Sequence, residues 1–202
     1  MSPERTLLIA TLNPGKVQEL SEMLAAMDAE VVGLDSFPAI VEVEETGRTF
    51  AENARLKAAG YARQTGLPAL ADDSGLEVRA LGGRPGVLSA RYGGDVPFSE
   101  KIRLLLAEIA ESGSQDRSAR FVCSIALANA DGSIVEISNG ICDGRIVDHP
   151  RGTCGFGYDP VFMPDGCNET FGELSSAVKG KISHRSRAFS QIMPILGRFF
   201  GI

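Results

Sequence analysis

Two neighbouring carboxylates, Asp72 and Asp73, follow the apolar run Leu67-Pro-Ala-Leu-Ala71 and precede Ser74-Gly75. Adjacent carboxylates at the end of a buried strand repel each other, so a cation or a hydrogen-bond network must hold them. Side chains alternate along a strand, so the two should point different ways, one toward a metal or water and the other braced by donors or a lysine. Upstream lie Glu42, Glu44 and Glu45. Clustered charge is usually a solvated run, but oxygen-only ligands with no His or Cys nearby also suit Mg²⁺, or Mn²⁺ in its place, better than zinc.

The complementary basic groups are scattered. Thr11-Leu-Asn-Pro-Gly-Lys16 leads into a stretch with Val17, Leu20, Met23, Leu24 and Met27 at helical spacing. Asn13 can cap that helix and Pro14 suits its first turn, which leaves Gly15 and Lys16 where backbone N–H groups are unpaired and the helix dipole is positive. The segment lacks the first glycine and the spacing of a Walker A loop, yet it is a plausible phosphate site. Lys57 shares a helix face with Asn53. Further on, Phe156-Gly-Tyr-Asp159 sets two aromatics around a glycine beside a carboxylate, either core packing at a bend or a platform for a planar base. Ser183-His-Arg185, with Lys179 a turn before it, puts basic residues at a helix start, where the dipole favours anions.

The elements that must position these groups can be read from periodicity. Strands are expected at Thr6–Ala10, at Glu30–Leu34 and over 67–71, the last ending abruptly at Asp72. Helices are expected near 14–27, 49–65, 99–112 and, with a kink at Pro194, 183–200. Two alternating runs, 120–130 and 133–141, flank Asp131-Gly132, a strong hairpin signal that makes the second half of the sheet antiparallel. A strand at 161–163 and a turn at 164–166 follow.

The chain has 202 residues, 44% hydrophobic and 23% charged, which indicates one globular domain or two lobes around a shared core. Its net charge of −6 argues against nucleic acid or anionic lipid as a partner. No apolar run is long enough for a membrane span and the first ten residues are too short for an export signal, so a cytoplasmic location is the expectation. The four cysteines form no C-x-x-C pair. Buried or partly buried thiols are expected, without zinc or disulfides.

In order along nearly the whole chain, Thr11–Lys16, Glu45-Thr-Gly-Arg-Thr-Phe-Ala-Glu-Asn-Ala54, Ala71-Asp-Asp-Ser-Gly75, Gly83-Arg-Pro-Gly86 with Ser89-Ala-Arg-Tyr92, Gly155-Phe-Gly-Tyr-Asp-Pro160 and Ser183-His-Arg185 resemble the motifs of the Ham1-like inosine/xanthosine triphosphate pyrophosphatases. The resemblance implies an elongated, two-lobed α/β fold over residues 1–202, a mixed twisted sheet flanked by helices with a central cleft. It implies a homodimeric, Mg²⁺-dependent enzyme that hydrolyses ITP, dITP and XTP to the monophosphate and pyrophosphate. By the same resemblance Thr11, Leu12, Asn13, Pro14, Gly15 and Lys16 bind the triphosphate with Lys57. Asp73 is general base and metal ligand, Asp72 supports it, and Lys16 disperses charge. Glu44 or Glu45 is the second metal ligand. Ser74 contacts substrate, Phe156, Gly157, Tyr158 and Asp159 hold base and sugar, and Lys179, His184 and Arg185 contact the base. Two alternatives stand beside it: a pyrophosphatase for modified pyrimidine nucleotides, and a nucleotide sensor without turnover.

Overall fold

A computed structural model describes residues 5–201. Its elements are β1 (Thr6–Ile9), α1 (Pro14–Leu24), β2 (Glu30–Gly33), α2 (Phe50–Thr65), β3 (Ala69–Val78), α3 (Phe98–Glu111), β4 (Ser118–Ala128), β5 (Ile134–Ile146), β6 (Phe162–Pro164), α4 (Ser176–Ile182) and α5 (His184–Phe200). The strands form one mixed sheet in the order β2-β1-β3-β4-β5-β6. Both neighbours of β1 run parallel to it, as strands joined through helices must, whereas β5 and β6 are antiparallel. Helices therefore flank a mixed sheet, as the sequence implied. No helix among the described residues is long and apolar enough to cross a membrane.

The chain divides into two compact units. The first contains the chain up to Asp73, Cys123–Gly140 and the chain from Arg185; the second contains Ser74–Val122 and Ile141–His184. In the first unit the period-2 alternation of the strands creates two apolar layers. Leu7, Ile9 and Leu70 pack with Leu20 of α1 and with Phe189 and Ile192 of α5. Leu8, Ala10, Ala69 and Ala71 point the other way, onto Ala54, Ala58 and Tyr61 of α2. The second unit has an aromatic core in which Phe121, Phe162 and Phe171 pack with Leu105 and Ile109 of α3.

Two expectations need correction. β3 does not stop at Asp72 but continues through Asp72-Asp73-Ser74-Gly75 to Val78. The two carboxylates are paired with lysine and arginine side chains, and Asp73 also accepts from an asparagine, so charge does not end the ladder. A separate short helix, α4, which no sequence signal marks, precedes the last helix, carries Lys179 and has Ser183 as its C-cap. The cysteines are free, but Cys154 is exposed rather than partly buried.

Candidate active site

The alternation that builds the two layers also decides where the acidic pair goes. Asp72 follows Leu70 onto the α1 and α5 face, and Asp73 follows Ala69 and Ala71 onto the α2 face. On the first face Lys16 Nζ lies 3.2 Å from Asp72 Oδ2, and the Arg185 guanidinium donates to the same oxygen from Nε at 3.2 Å and Nη2 at 3.0 Å. Arg185 also reaches Glu19 of α1. Arg185 is 1% exposed and Asp72 wholly buried. Burial alone would raise the Asp72 carboxyl, but Lys16, Arg185 and Lys57 overcome it and hold it far below the ordinary carboxylate range. The same neighbourhood pushes the Cys123 thiol up, chiefly through burial and then through Asp72.

On the second face α2 presents Asn53 and Lys57, four residues apart and hence stacked on one side of the helix. Lys57 Nζ lies 3.2 Å from Asp73 Oδ1 and 2.6 Å from Glu45 Oε1, and Asn53 Nδ2 donates to Asp73 Oδ2 at 3.1 Å. Burial, and after it the charge of Glu45, drives the Asp73 carboxyl upward against the pull of Lys57 and Lys16. Burial would lower the Lys57 ammonium, yet Asp73, Asp72 and Glu45 together raise it. The two directions belong together, because one lysine serves three carboxylates.

Among its glutamates the acidic segment is solvated only at Glu42 and Glu44. It lies extended along α2: the Val41 N–H donates to Gln64, the Val43 N–H to the Tyr61 hydroxyl, Glu45 accepts from Lys57, and the Gly47 N–H donates to Asn53. Every second residue of the strap meets the helix at steps of three or four. Glu42 and Glu44 fall on the intervening positions and are exposed, while Glu45 is half-buried. A Cβ on Gly60 would come within 2.6 Å of Val43 Cγ2, so the strap lies directly on the helix surface there.

α1 begins as read. Asn13 caps it, its side chain accepting from the Lys16 N–H at 3.2 Å, and Pro14 opens the first turn. Thr11 is buried and accepts from the Asn13 N–H, Gly15 is half-buried, and Leu12 is 56% exposed.

The remaining predicted residues lie in the second unit. Lys179 Nζ sits 2.6 Å from Asp159 Oδ2 and 4.7 Å from the centroid of the Phe156 ring, over its face. Asp159 Oδ2 also accepts from the Phe156 N–H at 2.8 Å. Gly155, with φ +71°, leaves room for this turn, since a Cβ there would fall 2.0 Å from that oxygen. The Tyr158 hydroxyl donates to the Ser89 carbonyl, and its ring meets Phe98 edge to face. His184 is buried, with its ring stacked on Phe121 at 4.6 Å. Ser74, on β3, is half-buried.

The structure thus brings Lys16, Lys57, Glu45, Asp72 and Asp73 together, and separately Phe156, Tyr158, Asp159 and Lys179. Arg185 belongs with the first group. Its unfavourable place at a helix start is balanced by Asp72 and Glu19. Sequence reasoning set Asn53 on the face of Lys57 without giving it a role, and it overlooked Glu19. Each carried a signal, Glu19 standing three residues after Lys16 on a helix and Asn53 four before Lys57.

Fold and site define a mixed α/β protein whose buried acidic strand is held by lysines from two crossover helices. A family model described as the Ham1 family matches residues 7–195, and the chain belongs to that family. It is 46% identical over 198 residues to the dITP/XTP pyrophosphatase of Streptomyces avermitilis, covering 96% of this chain and 98% of that one. It is 47% identical over 191 residues to the dITP/XTP pyrophosphatase of a Nostoc species, covering 94% and 93%. A HAM1 protein from Coxiella burnetii superposes with a TM-score of 0.88 at 40% identity, over 96% of this chain and 99% of that one.

Proposed function

We propose that this chain is a nucleoside triphosphate pyrophosphohydrolase that removes ITP, dITP and XTP from the nucleotide pool, releasing monophosphate and pyrophosphate. The observation that carries the reading is the buried Asp72-Asp73 pair, one carboxylate locked by Lys16 and Arg185 and the other raised beside Lys57, in a chain nearly half identical to proteins named for this activity.

Asp73 and Glu45 are the residues that would hold a divalent cation. Among the described residues no group of three or more His, Cys, Asp or Glu side chains is placed so that it could hold a metal ion by itself. A donor set of two carboxylates fits Mg²⁺, which keeps several waters and completes its shell with substrate phosphates. When bound, the ion neutralises charge on the phosphate oxygens. Mn²⁺ is the expected substitute.

The residues of the chain supply the rest. Asp73 orients the attacking water and takes its proton on a carboxylate oxygen; an upward-shifted carboxyl is a better base than an ordinary one. Water adds to the α-phosphorus, and the bond from that phosphorus to the bridging oxygen breaks, with the electron pair leaving on pyrophosphate. Lys16 and Lys57 meet the charge that develops on the phosphates. In the loop Thr11–Gly15 the Gly15 N–H offers a backbone donor at the start of α1, where Pro14 has none. Asp72, kept ionised, fixes Lys16.

For the base, Phe156 gives an aromatic face, Gly157 to Asp159 shape the turn and Lys179 and His184 donate. Inosine and xanthine carry a 6-keto acceptor, whereas adenine carries a 6-amino donor that would meet these donors head on. A homodimer working on the free cytoplasmic pool completes the reading, and light scattering tests its oligomeric part. Pyrophosphate release from ITP, dITP, XTP, ATP and GTP in Mg²⁺ tests the activity.

A further inference from the structure

We infer that Asn53 is a positioning residue for the proposed hydrolysis, fixing the direction of the Asp73 carboxylate and tying it to the strap that carries Glu45. The inference rests on the functional reading above. Asn53 is wholly buried, a place where an amide is costly unless its groups are bonded. Both ends are used: Oδ1 accepts from the Gly47 N–H at 2.7 Å, and Nδ2 donates to Asp73 Oδ2 at 3.1 Å. A backbone N–H only donates and a carboxylate accepts, so this pair of partners sets the orientation of the amide.

One helical turn on, Lys57 repeats the arrangement, spanning Glu45 and Asp73 Oδ1. Two rungs therefore join strap, helix and strand, and each takes a different oxygen of Asp73. The carboxylate cannot rotate without losing one of them. The Lys57 ammonium rides on a flexible stem and follows movement, whereas the short Asn53 amide sets the angle. Gly47 completes the device, since a Cβ there would fall 2.6 Å from Asn53 Oδ1 and 2.7 Å from Glu52 Cβ.

Three variants separate positioning from simple anchorage of the strap. Asn53→Leu is nearly isosteric and removes both bonds. Asn53→Asp keeps the acceptor for Gly47 but sets a carboxylate against Asp73. Gly47→Ala keeps the Asn53 side chain but pushes it out of its present position. With saturating Mg²⁺ and dITP as substrate, both Asn53 variants are expected to lower kcat by about 30-fold or more while KM stays within about threefold. Gly47→Ala should lower kcat by about tenfold, and the Asn53→Leu/Gly47→Ala double variant should be no slower than Asn53→Leu alone, because both cut one link.

Crystal structures of Asn53→Leu or, if that variant does not fold, of Gly47→Ala should show a rotated Asp73 carboxylate. Wild-type kcat in a folded Asn53→Asp, losses confined to KM, additive losses in the double variant, or an unmoved Asp73 would each overturn the inference. If the wild-type protein releases no pyrophosphate from dITP or XTP, the functional reading fails, and the Asp73 direction in the variant crystals still judges the geometry.

Discussion

Each unit buries a lysine against a carboxylate, and the two arrangements are built differently. In the second unit Lys179 and Asp159 are both nearly sealed from solvent, and the pair also holds the Phe156 N–H, so charge, ring and backbone turn are fixed together. In the first unit Lys16, Lys57 and Arg185 stand among Glu19, Glu45, Asp72 and Asp73, three cations to four carboxylates. A balanced pair orients what it touches. A set with excess negative charge, and a carboxyl pushed upward at Asp73, suits recruiting a cation and moving a proton. The contrast recurs within the acidic pair itself, where Asp72 belongs to a locked network and Asp73 to the poised one.

The sharpest way to break this contrast is to neutralise the two aspartates in turn. Asp73→Asn should cut kcat by roughly 10²–10⁴-fold, the range for loss of an acid–base group, in steady-state pyrophosphate release. It should cost about 1 kcal/mol or less in stability, because it removes a carboxylate whose ionisation burial already disfavours. Asp72→Asn should reverse the pattern and cost about 3–5 kcal/mol in denaturant unfolding, since the buried Arg185 charge loses its partner.

The pH dependence follows the same division. A depressed carboxyl pKa stabilises the fold above its unfolded value, near 3.9, and the gain is lost as pH falls toward the lower folded value. Asp72 therefore contributes fully at neutral pH, and acid unfolding monitored by circular dichroism should shift to higher pH in Asp72→Asn. Asp73, shifted upward, works the other way: its ionisation becomes a cost as pH rises past the unfolded value.

A smaller effect tests the second unit. Phe156→Ala removes the ring beneath Lys179 and should raise KM for ITP by the equivalent of about 1–3 kcal/mol, with a lesser change in kcat. The smallest effect serves as a control. Asp28→Asn breaks an exposed pair with Arg5 and should move stability by less than about 0.5 kcal/mol.

Much of this was legible in the sequence because it is local. Asn13, Pro14 and Lys16 define the start of α1 through capping rules, and Asp131-Gly132 marks the turn between β4 and β5. The opposite directions of Asp72 and Asp73 follow from strand alternation alone. What escaped notice depends on contacts between distant segments. β3 runs through its carboxylates because Lys16, Lys57 and Arg185 arrive from three helices, and local charge gives no hint of that. The strap over residues 41–47 has no periodicity of its own to announce it; its alternation matches the steps of α2 only once the two lie side by side. The pairing of Arg185 with Asp72 and Glu19 is likewise a contact between segments far apart in the chain, and the residues beside it in sequence do not announce it.

The central claim is most directly tested by incubating the purified protein with ITP, dITP, XTP, ATP and GTP in Mg²⁺ and measuring pyrophosphate and monophosphate. Rapid release from the first three, with little from ATP and GTP, is the predicted result. Equal release from all five, or none from ITP, dITP and XTP, would contradict it.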